Sequence, residues 1–558
     1  MEKEFEKRNT TKAVRSFFLK IHPNDNVLVA LRDLAPGTKV SSNGSSFELP
    51  ENIDAKHKFF EHDMHTGDDV IMYGVLVGKL QSDVVRGQAM TTANTKHAAG
   101  KYAYRSFQYT WQPPDISRFA LKTFNGYKRS DGHVGTANYW LFIPAVFCEN
   151  RNLDVIKEAM WNELGYAVTD RYKRFTKQML QAHMAGDDID NIDLNPTSLK
   201  SERYFKNVDG IKFLNHAGGC GGTRQDSATL STLLASYADH PNVGGVTVLS
   251  LGCQHLQVKN FLNDLKQRNP HFDKPLYVFE QQQIQSEEQL IAEAIRQTFK
   301  GLVEINKQER EPALLSALCV GVKCGGSDGF SGISANPAIG YTSDLLVALG
   351  GKVLLAEFPE LCGAEQELID RSVNEETANK FIHLMETYND EAKQVGSGFH
   401  MNPSPGNIKD GLITDAIKST GAARKGGTAP VVSVLNYTEP ATKPGLSLVC
   451  TPGNDVESTT GQTASGATLI LFTTGLGTPT GNPVAPTIKL STNSRLAKRM
   501  NDIIDIDTGP IIDGEKTIQQ MGEEILDFCI KVASGEIIPK AVQLCQDDFI
   551  PWKRGVSL

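Results

Sequence analysis

Thiols and carboxylates recur in this sequence directly after short apolar runs. After the run Leu314 to Val322, glycine-rich loops carry four such residues: Cys324, Asp328, Glu357 and Glu360. Thiolates prefer iron or zinc, whereas carboxylates and hydroxyls prefer hard divalent metals, so the residue types leave the metal open. The alternative is that the glycines only make turns and the acids are solvated. The convergence of thiol, carboxylates and glycines makes this stretch the best active-site candidate in the chain.

Four further cysteines also follow apolar runs: Cys148, Cys220, Cys253 and Cys450. Cysteine is among the most buried residue types, so any one of them taken alone is better explained as a small core residue. Taken together, the repeated placement keeps a metal or iron–sulfur site open as the alternative.

The elements around the candidate site form a strand-helix-strand unit. Leu314 to Val322 is short and rich in β-branched residues, which predicts a buried strand. Asn336 and Pro337 suit the N-cap and first turn of a helix that Gly350 and Gly351 end. Lys352 to Glu357 predicts the next strand. Such a unit implies two parallel strands, and ligands bind outside their carboxyl ends.

The same alternation extends over most of the chain, so we predict an α/β protein. It has two open, mostly parallel α/β subdomains, preceded by a small β-rich domain. The expected boundaries are a flexible N-terminus at 1–16, the β-rich module at 17–98, a linker packed on a surface at 99–120, a first subdomain at 121–305 with an irregular excursion at 165–203, and a second subdomain at 306–558.

Composition narrows the classes of function. The net charge of -8 and the absence of long basic runs argue against a nucleic-acid partner. Nine scattered cysteines form no disulfide framework, which indicates a reducing compartment. The charged N-terminus lacks the apolar core of a signal peptide, and the densest apolar run, Trp140 to Cys148, is too short to span a membrane and contains Pro144. We expect a soluble cytoplasmic protein.

The sequence contains no common nucleotide-binding motif. The glycine-rich turn Thr474 to Gly481 follows a predicted strand, but Pro479 and Pro483 replace the helix that would bind a pyrophosphate. The pattern GxxxxGK[ST] does not occur, and GxSxG occurs once, as Gly325 to Gly329 (GGSDG) in the loop of the active-site candidate.

Long stretches of the sequence resemble the altronate and galactarate dehydratase family. They are KIHPNDNVLVALRDL, HKFF with VIMYGVLVG, DGHVGTANYW, HPNVGGVTVLSLGC, REPALLSALCVGVKCGGSDGFSGISANPAIGYTSDLLVALGG, EFPELCGAEQ, NPSPGN, FTTGLGTPTG with APTIKLSTNS, and the final GVSL. The N-terminal part is similar to the small β-clip module known as a SAF domain. The remainder is similar to the family's catalytic region.

The resemblance implies removal of water from a sugar acid to give a 2-keto-3-deoxy acid, usually with Fe²⁺. LNYTEP, SLVCTPGND and RGVSL are more similar to the altronate branch, so D-altronate is the expected substrate and 2-keto-3-deoxy-D-gluconate the expected product. Galactarate dehydration or a sulfolactate-type lyase reaction is the alternative, and a non-catalytic sugar-acid-binding protein is an alternative of another class. Mn²⁺ could replace a mononuclear Fe²⁺, whereas no tight cysteine spacing marks an iron–sulfur cluster. The partner is a small sugar acid, and a homo-oligomer is conceivable.

The resemblance also suggests roles for individual residues. The expected metal ligands are Cys324, Asp328, Glu357, Glu360 and Cys220. The expected catalytic residues are His22, His57 and His216. The expected substrate-binding residues are Asp25, Asn26, Arg224, Lys323, Ser327, Asn336, Lys425 and Lys489.

The chain departs from the family pattern at the end of the module. Where family members carry a histidine-rich run resembling HVHAHN, this chain has Ala89-Met90-Thr91-Thr92-Ala93-Asn94, with His97 nearby. After Cys220 it reads Gly-Gly-Thr-Arg-Gln-Asp in place of a run like SQLGDD.

Overall fold

The computed structural model describes residues 17–42, 44–106, 108–167, 171–194 and 202–558. The predicted flexible terminus at 1–16 and part of the excursion at 165–203 lie outside these ranges. No helix in the described ranges combines the length and apolar character needed to cross a membrane.

The N-terminal module is a small, strongly twisted β structure. Its strands β1 to β8 span Phe18–Leu19, Val27–Ala30, Lys39–Ser42, Ser45–Glu48, Lys58–Phe60, Asp69–Met72, Val75–Leu80 and Thr95–His97. They form two three-stranded antiparallel sheets, β1-β2-β5 and β6-β7-β8, and the hairpin β3-β4. Leu412, Ala416 and Ile417 of the second subdomain pack into the core of this module.

The first α/β subdomain is built on a four-stranded parallel sheet. Its elements are β9 (Thr123–Lys128), β10 (Val134–Gly135), β11 (Tyr139–Pro144), α1 (Asn150–Glu163), α2 (Arg171–Ala185), β12 (Gly210–Phe213), α3 (Arg224–Asp239), β13 (Val243–Ser250), α4 (Val258–Arg268), β14 (Leu276–Glu280), α5 (Glu287–Ile305) and β15 (Glu311–Leu314). The parallel strands lie in the order β12-β11-β13-β14, and β10-β9-β15 form an antiparallel sheet. A Cβ at Gly245 or Gly301 would lie 2.2 or 2.1 Å from the ring of Trp140, so both glycines are needed for this buried indole.

The second α/β subdomain is built on a seven-stranded parallel sheet. Its elements are β16 (Cys319–Cys324), α6 (Ala335–Ala348), β17 (Lys352–Leu355), α7 (Glu365–Asp370), α8 (Glu375–Gln394), α9 (Pro405–Lys409), α10 (Asp415–Ala423), β18 (Val431–Leu435), β19 (Gly445–Val449), α11 (Asp455–Ala464), β20 (Leu469–Thr474), β21 (Thr487–Ser491), α12 (Ser494–Arg499), β22 (Ile506–Asp507), α13 (Gly509–Ile512), α14 (Ile518–Ala533) and α15 (Lys540–Gln543). The strand order is β18-β19-β17-β16-β20-β21-β22. The predicted fold class, two parallel α/β subdomains after a β-rich module, is confirmed.

Some local predictions were wrong. The run Leu314 to Val322 is not one strand, because a 3₁₀ turn at Leu315–Ala317 separates β15 from β16 and sends them to different sheets. Helix α6 begins at Ala335 after Ser334, so Asn336 is already helical and is not the N-cap. The excursion at 165–203 is not irregular throughout, since it contains helix α2.

Segment 99–120 crosses the surface of the second subdomain. Tyr109 donates a hydrogen bond to the carbonyl of Thr428 at 2.7 Å, and the Trp111 indole donates to the Thr428 hydroxyl at 3.2 Å. Gln366 exchanges hydrogen bonds with the backbone of Ala103. The segment therefore has specific partners on the domain that it covers.

Candidate active site

A polar cavity of about 540 Å³ lies at the carboxyl ends of β16, β17 and β19, which are adjacent in the large sheet. Its walls come from the loops after these strands and from the segment between α8 and α10. The chemically active side chains among its lining residues are Cys324, Ser327, Glu360, Tyr388, Asn402, Ser404, Asn407, Lys418 and Asp455. We call it the polar cavity. Its volume suits a small polar molecule.

A continuous ion-pair network runs behind the wall of the polar cavity. Lys418 Nζ lies 2.9 Å from Glu360 Oε1, and the Cys324 thiol donates to Glu360 Oε2 at 3.6 Å. Lys425 Nζ lies 2.8 Å from Cys324 Sγ and 3.1 Å from Glu357 Oε2. Lys323 then contacts Glu357 Oε1 and lies 2.8 Å from Asp455 Oδ1. Both ends of the network, Lys418 and Asp455, line the cavity.

The network holds its charges far from water. Burial alone would lower the pKa of Lys425, but Cys324 and Glu357 outweigh it and the pKa is raised. Burial raises the pKa of Glu357, against the lowering effect of Lys323 and Lys425. Burial also favours the protonated form of Glu360, yet Lys418 and then Lys323 lower its pKa to about 2. Glu360 is therefore an ionised carboxylate beside the cavity, whereas Glu357 is fully enclosed.

The backbone at Glu357 is itself unusual. Its φ of 71° lies in the left-handed region, which residues other than glycine rarely adopt. The Glu357 N–H donates to the hydroxyl of Thr451 at 3.0 Å, and the carboxylate is held by two lysines. These contacts stabilise a conformation that turns the chain sharply after β17 and brings Glu360 to the cavity. Such strain is common at functional sites.

Asp328 connects the module to the second subdomain and does not face the polar cavity. Lys56 Nζ of the module lies 3.1 Å from Asp328 Oδ2 and 2.8 Å from Asp410 Oδ1. Asp328 also accepts hydrogen bonds from Ser331 at 3.1 Å and from Thr492 at 3.0 Å. Its carboxylate is thus fully used in holding the interface.

A second cavity, of about 370 Å³, lies at the carboxyl ends of the first sheet. It is lined by His216 and Cys220 together with Leu230, Phe549 and Trp552, and we call it the apolar cavity. His216 Nε2 contacts the carbonyl of Pro144 at 2.8 Å, and burial lowers the pKa of the imidazole to about 4. The structure does not bring His216 and Cys220 together with Cys324, because each of the two sheets ends in a cavity of its own.

The two cavities share a wall. The ring of Tyr388, which lines the polar cavity, packs on the ring of Trp552, which lines the apolar cavity, with centroids 4.9 Å apart. Glu457 of α11 lines the apolar cavity, two residues after Asp455, which lines the polar cavity.

The remaining substrate-binding candidates lie in several places. Ser327 lines the polar cavity. Asn336 is buried and bridges Gly421 and Thr473. Lys489, on β21, contacts Gln546, and burial lowers its pKa to about 8. Arg224 is exposed at the first position of α3.

The candidate site residues of the N-terminal module stabilise turns within it or contact the second subdomain. Asp25 accepts from the N–H groups of His22 and Gly74, at 2.9 and 2.8 Å. Asn26 pairs with the backbone of Asp69 and Ile71. His57 Nε2 lies 2.9 Å from the carbonyl of Lys409, so this module histidine contacts the second subdomain.

A divalent ion does not fit the thiol and carboxylates of the network well. Ligand atoms of Cys324, Glu357 and Glu360 lie within 4.8 Å of one another, a span that one ion could bridge. However, each of the three donors already contacts a lysine ammonium group, and these charges repel a cation. Among the described residues, no histidine belongs to this group. The arrangement suits a small anion better than Fe²⁺.

Sequence reasoning missed Lys418 and Asp455. All nine residues of helix α10 are buried, so Lys418 needs a partner there, but this burial is visible only in the structure. Asp455 follows strand β19 in the same way that Cys324 ends β16, so the strand-end rule could have included it.

Comparisons with known proteins identify the family of all three parts of the chain. Residues 16–98 match the altronate/galactarate dehydratase SAF domain, residues 126–306 match the D-galactarate dehydratase/altronate hydrolase second domain, and residues 315–557 match the D-galactarate/altronate dehydratase C-terminal domain.

Relatives extend this similarity over nearly the whole chain. The altronate dehydratase of Escherichia coli (strain K12) is 34% identical over 97% of this chain and 100% of its own length. The altronate dehydratase of Bacillus subtilis (strain 168) is 32% identical over 93% of this chain and 96% of its own length. The galactarate dehydratase (L-threo-forming) of Escherichia coli (strain K12) is 32% identical, covering 93% of both chains. The chain therefore belongs to the altronate and galactarate dehydratase family.

Proposed function

We propose that this protein is a hydro-lyase that removes water from D-altronate to give 2-keto-3-deoxy-D-gluconate. The observation that carries the proposal is the polar cavity with Lys418 and Glu360 side by side in its wall, 2.9 Å apart. Family membership supports the reaction class, and the two relatives named altronate dehydratase support the substrate.

The chemistry needs a cation near the substrate carboxylate and a base near C2. The C2 proton is weakly acidic, and its removal places a second negative charge on the carboxylate. We assign the carboxylate to Lys418, whose pKa is raised by Glu360 against the effect of burial, so that its ammonium form persists. Asn402, Ser404 and Asn407 supply polar contacts for the hydroxyls.

Glu360 is the proposed acceptor of the C2 proton. In the structure its pKa is low because Lys418 and Lys323 stabilise the carboxylate against the effect of burial. A substrate carboxylate that binds Lys418 competes for that ammonium group, which raises the pKa of Glu360 and makes it a stronger base. The proton that Glu360 takes from C2 then passes to the 3-hydroxyl group, which leaves as water and restores the Glu360 carboxylate, while Asp455, at the other end of the network, accepts a hydrogen bond from that hydroxyl. The Fe²⁺ requirement stays a prediction, and none of these roles depends on a metal.

The reaction class is tested by supplying substrates directly. Anaerobic incubation of the purified protein with D-altronate, galactarate and sulfolactate, each with and without added Fe²⁺ or Mn²⁺, is followed by assay of the 2-keto acid. We expect turnover of D-altronate and little of the other two. Turnover of galactarate alone would select the alternative substrate, and no product from any of the three would overturn the dehydratase proposal.

The residue assignment is tested with a matched pair of variants. Glu360→Gln is expected to lower kcat by about 10²–10⁴-fold, as for loss of a general base. The control is Glu439→Gln, because Glu439 pairs with Lys380 at 2.9 Å on an exposed surface away from both cavities. Equal activity of the two variants would contradict the assignment of Glu360.

A non-catalytic sugar-acid-binding protein is the competing hypothesis. It predicts that D-altronate raises the melting temperature while no keto acid forms with any divalent metal. Detectable elimination with the wild-type protein, lost in Glu360→Gln, rules it out.

A further inference from the structure

We propose that His97, Cys362 and Asp415 form a binding site for one transition-metal ion, with Zn²⁺ as the best match, between the module and the second subdomain. A ring nitrogen, the thiol sulfur and a carboxylate oxygen of these residues all lie within 4.8 Å of one another. His97 ends β8, Cys362 follows the turn after β17, and Asp415 begins α10. The site is outside the network behind the polar cavity and does not depend on the proposed function.

The buried carboxylate of Asp415 has one oxygen without a hydrogen-bond partner among the described residues. Its side chain is 1% exposed, and Oδ2 has no hydrogen-bond partner among the described residues. The carboxylate shares a hydrogen bond with the Cys362 thiol, and Oδ1 also accepts a long contact of 3.4 Å from the Ser419 hydroxyl. An unsatisfied buried carboxylate oxygen is costly, and a bound cation would remove that cost.

Glu365 supplies a fourth donor. Its side chain is 5% exposed, and its carboxylate shares a hydrogen bond with the Cys362 thiol. One nitrogen, one sulfur and two carboxylate oxygens are the donors that Zn²⁺ takes in a tetrahedral site. His97 Nδ1 accepts a hydrogen bond of 3.3 Å from the Ala416 N–H, which orients the ring beside the start of α10 and leaves Nε2 as the nitrogen for the ion.

The charges around this cluster favour a cation, unlike those around Cys324. Among the described residues, neither Asp415 nor Glu365 forms an ion pair. Lys418, the ammonium group that acts on Asp415, is already paired with Glu360 at 2.9 Å, and His400 is the other basic side chain near His97. An ion bound here would join β8 of the module to α10 and thereby hold the module beside the polar cavity.

Metal titration of the full-length protein tests this site. The protein is stripped with a chelator, and Co²⁺ is added as a spectroscopic substitute for Zn²⁺. We expect one equivalent to bind with a thiolate-to-cobalt absorption band, and Zn²⁺ to displace it. Cys362→Ser should abolish the band, and His97→Ala should weaken binding about tenfold or more. His65→Ala is the control, because His65 is an exposed module histidine with a side chain 83% exposed.

Two outcomes would overturn the site. One is the absence of stoichiometric Co²⁺ binding to the stripped wild-type protein. The other is an unchanged band in Cys362→Ser with circular dichroism like that of wild type. If Cys362→Ser does not fold, the His97→Ala titration decides the question.

An independent observation in the first subdomain points to an iron–sulfur site. Cys148, Cys220 and Cys253 are exposed, whereas the other six cysteines are buried or half-buried. The three follow β11, β12 and β13, which are neighbours in the sheet order β12-β11-β13. Cysteine is normally among the most buried residues, so three exposed thiols at one sheet edge need an explanation. We infer that they bind a cluster.

The loops that carry these cysteines are in direct contact. The Phe147 N–H donates to the carbonyl of Gly218 at 3.0 Å, and the Leu256 N–H donates to the carbonyl of Gly219 at 3.2 Å. A Cβ at Gly219 would lie 2.4 Å from the carbonyl oxygen of Ala145, and its φ is +99°, so only glycine allows this approach. The three cysteine loops are therefore fixed against one another.

The arrangement fits a cluster better than a single ion. These three thiols are not among the groups whose ligand atoms lie within 4.8 Å, and a cluster holds its cysteines farther apart than one ion does. Four cysteines usually bind a cluster, so three would leave one iron open toward the neighbouring apolar cavity, which Cys220 lines. Beside Cys148, the buried Glu149 has an oxygen without a partner among the described residues.

Anaerobic reconstitution with iron and sulfide tests the cluster. We expect equal amounts of iron and acid-labile sulfide and a broad visible absorption that dithionite bleaches. Cys148→Ser, Cys220→Ser and Cys253→Ser should each lose most of the absorption, while Cys362→Ser keeps it. Conversely, Cys253→Ser should keep the cobalt band of the His97 site. Absence of sulfide from the reconstituted wild-type protein, or retention of the absorption in all three variants, would overturn the inference.

Discussion

Lys425 Nζ lies 2.8 Å from Cys324 Sγ, and both side chains are buried at the carboxyl end of β16. Burial raises the pKa of the Cys324 thiol to about 11, and the ammonium group of Lys425 lowers it only in part. The thiol therefore keeps its proton at neutral pH. A protonated thiol is a poor nucleophile and a poor metal ligand, so this cysteine differs in kind from the exposed ones.

Alkylation rates should reveal that difference. In the protein without a bound cluster, at neutral pH, we expect iodoacetamide to label Cys220 and Cys253, which are exposed, much faster than Cys324. Peptide mass spectrometry over a time course gives the three rates. Labelling of Cys324 at a rate equal to the exposed cysteines would show that its thiol is ionised or accessible.

Removal of one lysine from the network should destabilise the protein strongly. Lys425→Met leaves the enclosed carboxylate of Glu357 with one partner in place of two. Loss of one member of a buried ion pair costs about 3–5 kcal/mol, whereas loss of an exposed pair costs about 1 kcal/mol or less. Denaturant unfolding of Lys425→Met and of the control Lys380→Met compares the two, and equal losses would contradict the role of burial.

Glu360 should contribute to stability in a defined acid range. Burial opposes ionisation of Glu360, but Lys418 and Lys323 lower its pKa from 4.5 to about 2. A depressed folded-state pKa gives a contribution that is complete above the unfolded value and is lost as pH falls toward the folded value. The difference in melting temperature between wild type and Glu360→Gln should therefore shrink as pH falls from 4.5 toward 2. A constant difference would refute the low pKa.

The contribution of Lys58 to folding stability should increase as the pH rises. Burial lowers its pKa from 10.5 to about 7, although Asp328 opposes the shift, and its Nζ donates to the carbonyl of Gly411 at 2.6 Å. The unfolded chain binds more protons between these two values, so stability from this group rises as pH rises from about 7 toward 10.5. Relative to Lys58→Met, wild type should gain stability from neutral to mildly alkaline pH, as measured by denaturant midpoints.

Gly325 should be essential for positioning Asp455. A Cβ at Gly325 would lie 2.5 Å from Asp455 Oδ1, so Gly325→Ala must push the carboxylate away from Lys323. A displacement of this size at a reacting group lowers activity by about 10–100-fold. Gly100→Ala is the control, since nothing lies within 4 Å of its added carbon. Turnover of D-altronate with comparable folded stability is the measurement, and full activity of Gly325→Ala would refute the role of Asp455.

Local sequence patterns were sufficient to predict most of the fold. Strands β16 and β17 with α6 between them follow from apolar runs, a Gly-Gly helix end and the rule that such crossovers join parallel strands. The break at Leu315–Ala317 was not accessible, because the apolar run continues through it and only tertiary pairing sends β15 to another sheet. The start of α6 was predicted wrongly because the Asn336 side chain does not cap the helix. It donates a hydrogen bond to the carbonyl of Gly421 and accepts one from the Thr473 hydroxyl.

Only part of the candidate active site could be predicted from the sequence. Cys324, Glu357 and Glu360 lie close in sequence and follow strands, so the strand-end rule finds them. Lys418 and Lys425 meet them through α10 and the turn after it, and this contact depends on how distant elements pack. The two cavities also could not be separated beforehand, because each sheet presents its own carboxyl edge and the sequence does not state whether the edges face one another.

The contact between the rings of Tyr388 and Trp552 gives the protein a built-in optical reporter. Tryptophan emission depends on the polarity and contacts of the indole, and Trp552 lies with its ring centroid 4.9 Å from that of Tyr388, which lines the polar cavity. A sugar acid that shifts Tyr388 should therefore change the fluorescence of Trp552, one of four tryptophans in the chain. Subtraction of the Trp552→Phe spectrum isolates this change and allows occupancy to be followed in real time without any assay of product.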